Sequence, residues 1–185
     1  MANILVPLAQ GCEELEAVTI TDLLTRAGFQ VVTAGLDDQP VTASRGMVLV
    51  PATTLAAAMQ QEFDMLVLPG GLPGADHLNN DPRIHELLRT MSATGKYLAA
   101  ICAAPKILAR AGLLKGKRAT SYPGSIAEHD MGGIDYQEQA VVIDGNIITS
   151  RGPGTAMDFT LSLIELLAGK EKRQAVEAPL QRPAA

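Results

Sequence analysis

The chain has 185 residues, a length that fits one domain and can bury a sizeable core without disulfide staples. Its formal net charge of −5 and pI of about 5.2 leave no broad basic surface, which disfavours binding to nucleic acids or anionic membranes. Three Phe, three Tyr and no Trp offer few platforms on which bases could stack.

Two cysteines, Cys12 and Cys102, are too few for a disulfide framework, and no charged-then-apolar leader opens the sequence. The apolar run over residues 98–105 is much shorter than the roughly 20 residues of a membrane helix. We therefore expect a soluble, cytoplasmic protein.

Short apolar runs alternate with helical patterns from the first residues onward. In chain order, the patterns predict a strand at 3–9, a helix at 13–28, strands at 30–35, 47–51 and 64–69, a helix at 82–94, a strand at 97–102 and a helix at 103–111. Continuous apolar strands separated by helices predict an α/β fold whose mostly parallel sheet is covered on both faces.

The C-terminal part begins with a hairpin signal, since residues 139–144 and 146–150 flank an Asp-Gly turn. A helix is predicted at 153–168, because Pro153 lies near its start and Gly169 follows its end. The tail over residues 170–185 is expected to begin helical and to fray after Pro179. No repeat or linker interrupts the chain, so a single domain over residues 1–185 is predicted.

Cys102 lies where a buried strand ends and a helical segment begins, which is the setting of a nucleophile elbow, although Ala replaces the glycines of the hydrolase motif. Amides and the positive dipole end at a helix N-terminus stabilise a thiolate. The alternative is that Cys102 is only a small buried hydrophobe.

Glu16 stands out among the acidic residues at the start of the first helix. Glu13 and Glu14 are explained by the helix dipole, whereas Glu16 continues an apolar stripe and should point inward. The first strand and the strand before Cys102 can be near neighbours in a doubly wound sheet, so both ends open onto one crevice. A desolvated Glu16 would have a raised pKa and could donate a hydrogen bond to the Cys102 thiolate.

The glycine-rich loop over residues 69–74 either forms an oxyanion hole or is only a tight turn. It is neither a dinucleotide fingerprint nor a P-loop, so nucleotide binding is not favoured. The histidines, His77, His85 and His129, have no partners at metal-ligand spacing, which argues against a zinc site. Residues 151–155 form either a turn or an anion site before the last long helix.

Four motifs in order make the combination recognisable: Gly-Cys-Glu-Glu-Leu-Glu at 11–16, Leu-Pro-Gly-Gly at 68–71, Ala-Ala-Ile-Cys-Ala-Ala-Pro at 99–105 and Thr-Ser-Arg-Gly-Pro-Gly-Thr at 149–155. The chain resembles the ThiJ/PfpI (DJ-1) family, in the branch of the parkinsonism-associated protein deglycase and its bacterial relatives. The likeness spans nearly the whole chain, including the Ala-Pro-Leu of residues 178–180.

The resemblance implies a flavodoxin-like sandwich with a reactive Cys102, a protonated Glu16 beside it, and the amides of Gly71 and Ala103 near the oxyanion. Two further residues, Gly70 and Tyr122, are expected to line the site. Tyr122 stands where this branch often has a histidine and cannot act as an imidazole base. The protease-like branch has a histidine directly after the cysteine, so Ala103 at that position disfavours peptidase activity.

The function implied by the resemblance is a cofactor-free glyoxalase or deglycase that acts on methylglyoxal, glyoxal or their early adducts with amines and thiols. The alternative is an oxidative-stress sensor or redox-regulated chaperone, in which Cys102 is oxidised to a sulfinate without turnover. The resemblance also implies a homodimer that pairs through the first helix, with Cys12, Arg26 and Arg45 near the contact. No membrane partner is expected, and nucleic acid only as a glycated substrate.

Overall fold

The computed structural model describes residues 1–182. The strands are β1 (Asn3–Leu8), β2 (Gln30–Gly35), β3 (Val41–Thr42), β4 (Val48–Leu49), β5 (Thr53–Thr54), β6 (Met65–Leu68), β7 (Tyr97–Ile101), β8 (Arg118–Ala119), β9 (Asp135–Tyr136), β10 (Val141–Asp144) and β11 (Ile147–Ser150). The helices are α1 (Glu14–Arg26), α2 (Leu55–Ala58), α3 (Gly74–Asn80), α4 (Pro82–Ala93), α5 (Pro105–Arg110) and α6 (Ala156–Glu177). Short 3₁₀ turns form at Glu128–Asp130, Pro153–Thr155 and Ala178–Leu180.

A seven-stranded sheet in the order β10-β11-β7-β6-β1-β2-β5 forms the centre of the molecule. Its strands are parallel except β10, which pairs antiparallel with β11 through the Asp-Gly hairpin. The α/β class, the mostly parallel sheet and the hairpin are thus confirmed. Two small ribbons, β3-β4 and β8-β9, lie outside this sheet.

Both faces of the sheet are buried, which is why its central strands are apolar throughout. Alternate residues of β6 belong to different cores: Met65 and Val67 pack on one side, and Leu66 and Leu68 on the other. Residues of α1 and α6 complete the first core, and residues of α2, α4 and α5 complete the second. Helices therefore cover both faces, as a flavodoxin-like sandwich requires.

The prediction of a strand at residues 47–51 in the parallel sheet is wrong. Only Val48–Leu49 is extended, and it pairs antiparallel with β3 in the separate ribbon. Met47, Val48 and Val50 are exposed, so these apolar side chains do not belong to either core. The sequence pattern did not distinguish an apolar surface from a buried strand.

Two short helices, α2 and α3, were not predicted. The α3 helix directly after the glycine-rich loop was missed, because its sequence is short and mostly polar. The last long helix is preceded by a 3₁₀ turn at Pro153–Thr155, and it is kinked at Gly169, where φ is 84°, which agrees with the prediction that the helix over 153–168 ends before Gly169. The tail is helical to Glu177, as expected. The predicted fraying after Pro179 falls partly on residues 183–185, which lie outside the described residues. Among the described helices, none is long and apolar enough to cross a membrane.

Candidate active site

The candidate site lies at the carboxyl ends of three adjacent strands, β7, β6 and β1. Because these strands are parallel, the loops that follow them meet at one edge of the sheet. Cys102 follows β7, the glycine-rich loop follows β6, and the segment leading into α1 follows β1. The topology thus joins three segments that are far apart in the sequence.

Cys102 has a left-handed backbone, with φ of 62°. For a non-glycine residue this conformation costs roughly 1 to 2 kcal/mol, so other contacts must maintain it. The Cys102 N–H donates to the Ser150 carbonyl at 3.0 Å, and the Cys102 carbonyl accepts from Tyr122 N at 2.8 Å and Ser125 Oγ at 3.4 Å. The end of β11 and the loop after β8 therefore fix the elbow.

Glycines allow the loops after β1 and β6 to pack closely against each other. Gly71 has φ of 88°, and a Cβ atom placed there would lie 2.6 Å from the Cys12 carbonyl carbon. The Glu13 N–H donates to the Gly70 carbonyl at 3.0 Å, and the Gly74 N–H donates to the Gly11 carbonyl at 3.2 Å. The glycine-rich loop is thus packed backbone to backbone against the start of α1.

Glu16 is completely buried beside the elbow, as the apolar stripe predicts. Its Oε2 accepts a hydrogen bond from Gly70 N at 2.8 Å. Its Oε1 has no hydrogen-bond partner among the residues that the structure describes. Burial raises the pKa of Glu16 from 4.5 to about 7, although the Gly70 amide and the Cys102 thiol oppose the shift. Near neutral pH this carboxyl can therefore either hold or release a proton.

The Cys102 thiol is more difficult to ionise than the elbow motif suggests. Burial raises its pKa to about 12, with the negative charge of Glu16 and the hydrogen bond to that carboxylate adding to the rise. The backbone N–H groups of Gly71 and Ala103 lower the pKa but do not outweigh these effects. Protonation of Glu16 removes the adjacent charge and turns the carboxyl into a donor, so the two side chains titrate as one pair.

A cavity of about 410 Å³ opens onto Cys102. It is lined by Glu13, Ser44, Arg45, Gly71, Leu72, Cys102, Ala103, Tyr122, Pro123, Gly124, Ser125 and Pro153. Tyr122 lies at its mouth with about half of its surface exposed, and none of the lining residues is a histidine. The cavity is large enough for a small substrate to reach the sulfur.

Several lining residues come from a segment that the sequence analysis did not assign to the site. Glu14 is buried and accepts from Arg45 N at 2.8 Å and from Ser44 Oγ at 3.0 Å. Its pKa is lowered by these and related hydrogen bonds despite desolvation, so it is ionised at neutral pH. No local signal marks Ser44 as a site residue, because the segment reaches the cavity through tertiary contacts with Glu13, Glu14 and the Cys12 carbonyl.

The comparisons with known proteins agree with this geometry. The sequence model of the DJ-1/PfpI family matches residues 2–166. The chain belongs to the DJ-1/PfpI family.

Three DJ-1 relatives cover nearly the whole chain. Protein dj-1beta of Drosophila melanogaster is 46% identical to this chain, and the match covers 93% of this chain and 92% of its own length. The crystal structure of Drosophila melanogaster DJ-1beta superposes with a TM-score of 0.93 at 43% identity and covers 99% of each chain. The glutathione-independent glyoxalase DJR-1.2 of Caenorhabditis elegans is 38% identical over 97% of this chain and 95% of its own. The oxidized DJ-1 of Toxoplasma gondii has a TM-score of 0.91, 36% identity and 100% coverage of both chains.

In this DJ-1/PfpI chain, the structure brings together the predicted residues Glu16, Gly70, Gly71, Cys102 and Ala103, with Tyr122 at the cavity mouth. The histidines do not belong to this group: His85 Nε2 lies 2.8 Å from the Asn79 carbonyl, and the His129 side chain is largely exposed. Within residues 1–182, no cluster of three or more His, Cys, Asp or Glu side chains could hold a metal ion.

Proposed function

We propose that this protein is a cysteine-dependent glyoxalase that needs no cofactor and converts methylglyoxal or glyoxal to a hydroxy acid. The observation that carries the proposal is the pairing of Glu16, whose pKa is about 7, with the Cys102 thiol at the base of an open cavity. One relative of the chain bears the name glutathione-independent glyoxalase.

The reaction starts when the Glu16 carboxylate takes the proton of the Cys102 thiol, which gives a thiolate beside a protonated Glu16; this proton then protonates the carbonyl oxygen as the sulfur adds. The sulfur adds to the aldehyde carbon of methylglyoxal, and protonation of the carbonyl oxygen gives a hemithioacetal. In the proposed reaction, the N–H groups of Gly71 and Ala103 stabilise the transient oxyanion, which is supported by their lowering of the pKa of the Cys102 thiol.

Proton transfer completes the isomerisation. The former aldehyde carbon loses its proton, the ketone carbon gains one, and a lactate thioester results; Glu16 is the group that accepts and returns the proton. Water then adds to the thioester and breaks the carbon–sulfur bond, which releases lactate and the free thiol. Methylglyoxal and water thus become lactate, and no external oxidant or reductant is consumed.

A deglycase activity would use the same chemistry on early adducts. The hemiaminal or hemithioacetal that an amine or thiol forms with the aldehyde would enter the cavity, and the amine or thiol would leave as the hydroxy acid is formed. We propose a cytoplasmic location for this reaction, because the reducing cytoplasm keeps a free cysteine such as Cys102 in the thiol form.

The test compares purified wild type with Cys102→Ser for lactate formation from methylglyoxal in a buffer that does not scavenge aldehydes. Wild type should produce lactate in proportion to enzyme concentration, whereas the variant should produce none above the rate without protein. Stoichiometric loss of methylglyoxal without lactate would refute the proposal, because it indicates trapping by protein side chains rather than turnover.

A second candidate function is redox sensing or a redox-regulated chaperone activity, in which peroxide oxidises Cys102 to a sulfinate. Two equivalents of peroxide are reduced to water as the sulfur gains two oxygens. The supporting observation is that the Gly71 and Ala103 amides and a protonated Glu16 surround the sulfur with hydrogen-bond donors. The structure of the Toxoplasma relative is that of an oxidized protein.

We also propose that the protein acts as a homodimer. Leu15 and Val18 are exposed on α1, and Met47, Val48 and Val50 are exposed on the neighbouring ribbon. Glu14 connects the two elements through its hydrogen bond to Arg45 N, and in the proposed dimer these exposed apolar side chains are covered by the partner.

A further inference from the structure

The peptide group between Cys102 and Ala103 connects the elbow to hydrogen bonds behind the site. The Cys102 carbonyl and the Ala103 N–H lie in one plane, point in opposite directions and turn together. The carbonyl accepts from Tyr122 N at 2.8 Å and from Ser125 Oγ at 3.4 Å. The Ala103 N–H, at the other end, hydrogen-bonds the Cys102 sulfur. The contacts that hold the carbonyl therefore also set the direction of the N–H.

Tyr136 fixes the loop that supplies these donors. It is half-buried on β9, which pairs with β8 so that Tyr136 lies opposite Ala119. The Tyr136 hydroxyl donates to the Ser121 carbonyl at 3.0 Å and lies 3.3 Å from Ser121 Oγ. Ser121 is buried, and its Oγ donates to the Tyr122 carbonyl at 3.0 Å. A phenol from a separate ribbon thus holds the backbone that contacts the elbow.

These contacts form a continuous chain of hydrogen bonds through two peptide groups. The Tyr136 hydroxyl donates to the carbonyl of the peptide group between Ser121 and Tyr122. The N–H of that group donates to the Cys102 carbonyl, and the Ala103 N–H of the next group donates to the sulfur. Every link runs in the same direction, so each bond polarises the next and the last N–H becomes a stronger donor.

We propose that Tyr136 is a positioning residue for the oxyanion site, where its hydroxyl orients and strengthens the Ala103 N–H through the two peptide groups. That N–H in turn stabilises the negative charge on a carbonyl oxygen when the Cys102 sulfur adds to the carbonyl carbon. The inference rests on the proposed function for the identity of the natural substrate. The role of Tyr136 requires only that the sulfur adds to a carbonyl, so it can be tested without glyoxalase turnover.

The primary test compares two reactions of Cys102, of which only one forms an oxyanion. The thiolate adds to the carbonyl carbon of para-nitrophenyl acetate, the carbonyl oxygen carries the negative charge, and para-nitrophenolate then leaves with the electron pair of the broken carbon–oxygen bond. Iodoacetamide alkylates the same thiolate and releases iodide without forming an oxyanion. The ionised fraction of the thiol cancels in the ratio of acylation rate to alkylation rate, so this ratio measures the oxyanion donors.

Both rates are measured on the folded protein. The first release of nitrophenolate gives the acylation rate after subtraction of the rate in Cys102→Ser, and mass spectrometry of the Cys102 peptide gives the alkylation rate. In Tyr136→Phe, the ratio should fall about fivefold, the effect of one hydrogen bond. A merely structural role for Tyr136 would change both rates together and leave the ratio as in wild type, and that result would overturn the inference.

Tyr97→Phe is the matched control. It removes the same atom from a half-buried tyrosine on β7, but at the start of that strand, whereas Cys102 follows its end. The ratio should stay at the wild-type value. An equal fall of the ratio in Tyr97→Phe and Tyr136→Phe would also contradict a specific role for Tyr136.

Ser125 tests the chain at a second point. Ser125→Ala removes one of the two donors to the Cys102 carbonyl and should lower the ratio about twofold, because a hydrogen bond of 3.4 Å is weak. Ser125→Thr keeps a hydroxyl and should retain most of the wild-type ratio. A ratio in Ser125→Ala that equals that of wild type would show that the carbonyl does not control the Ala103 N–H.

Methylglyoxal turnover connects the chain to the proposed function. Tyr136→Phe should lower kcat for lactate formation about fivefold and change KM by less than about twofold, because the oxyanion forms only during the reaction. If wild type forms no lactate, the proposed function fails while the ratio of acylation to alkylation still decides the role of Tyr136. If wild type and Tyr136→Phe form lactate equally fast and have the same ratio, the glyoxalase stands and the inference fails.

Discussion

Glu16 and Cys102 approach each other next to the Cα atom of Gly70. A Cβ atom placed on Gly70 would lie 2.9 Å from Glu16 Oε2 and 2.6 Å from Cys102 Cβ. The absence of a side chain at this position is what lets the carboxyl and the thiol approach each other. Gly70 also donates its N–H to Glu16, so it both makes room for the pair and orients it.

Gly70→Ala should therefore separate the pair. The new methyl group would also lie 3.0 Å from Ala103 N, so part of the elbow must move, at a cost of about 1 to 3 kcal/mol in the free energy of unfolding. Methylglyoxal turnover should fall by more than the change in stability accounts for. Gly132→Ala is the matched control, since no atom lies within 4 Å of its Cβ position. If both variants retain full activity, close approach at Gly70 is not required.

Glu16→Gln and Glu16→Leu separate the charge of the carboxyl from its role as a donor. Both remove the negative charge that contributes to the raised pKa of Cys102, and only Gln can still donate a hydrogen bond to the thiolate. The midpoint of alkylation rate against pH should lie below that of wild type in Glu16→Gln, and about 1 to 2 pH units higher in Glu16→Leu than in Glu16→Gln. Turnover should drop by about 100-fold or more in both, because neither can carry the proton. An alkylation midpoint in Glu16→Gln equal to that of wild type would show that the carboxylate does not affect the thiol.

The raised pKa of Glu16 should make wild type lose stability as the pH rises. The folded protein retains this proton up to a pKa of about 7, whereas the unfolded chain releases it near 4.5. Between these values the folded state holds more protons at Glu16, so the contribution of Glu16 to stability is greatest below 4.5 and is lost as the pH rises through about 7. Relative to Glu16→Gln, which does not titrate, wild type should lose about 3 kcal/mol across this window. Urea unfolding at fixed protein concentration measures the difference, and curves that stay parallel in the two proteins would contradict it.

The fold was predictable because the sheet is buried on both faces. That burial gives β6 and β7 continuous apolar sequences, and the alternation with helices then specifies a parallel order. Glu16 was predictable for the same reason, since a carboxyl on an apolar stripe must point into the molecule. These features depend on periodicity along one segment.

Features that depend on contacts between distant segments were not predictable. The turn carrying Ser44 and Arg45 reaches the cavity through tertiary contacts with Glu14 and with the Cys12 carbonyl, whereas in the sequence the helix dipole by itself accounts for Glu14. The pKa of Cys102 is raised because desolvation and the Glu16 charge outweigh the elbow amides, and this balance needs the three-dimensional burial. The apolar residues Met47 and Val48 suggested a core strand although they are exposed.

Cys102 should be oxidised by peroxide before Cys12. Burial and the charge of Glu14 raise the pKa of Cys12 to about 11, and its side chain is completely buried, whereas Cys102 lines an open cavity. Because both thiols have raised pKa values, access and the Gly71 and Ala103 amides decide the order. Mild peroxide followed by peptide mass spectrometry should show two added oxygens on Cys102. In Cys102→Ser, Cys12 should stay reduced in the native protein and react after unfolding, and early oxidation of native Cys12 would reverse the assignment.

The apolar surface formed by α1 and the β3-β4 ribbon should make the protein a dimer at micromolar concentration. Val48 is 60% exposed and Leu15 is 50% exposed, which is costly for a surface that stays in water. Val48→Glu should convert the dimer to a monomer, because a carboxylate buried in the interface would lack a partner. Ile143→Glu is the matched control: this side chain is also exposed but lies on β10, at the edge of the sheet away from the ribbon.

Light scattering measures the outcome directly. Wild type and Ile143→Glu should both have twice the 19.4 kDa mass of one chain, and Val48→Glu should have the single-chain mass. Circular dichroism on the same samples checks that Val48→Glu remains folded, so that loss of the dimer is not loss of the protein. A wild-type mass near that of one chain would contradict the homodimer, and a dimer that persists in Val48→Glu would place the interface elsewhere on the surface.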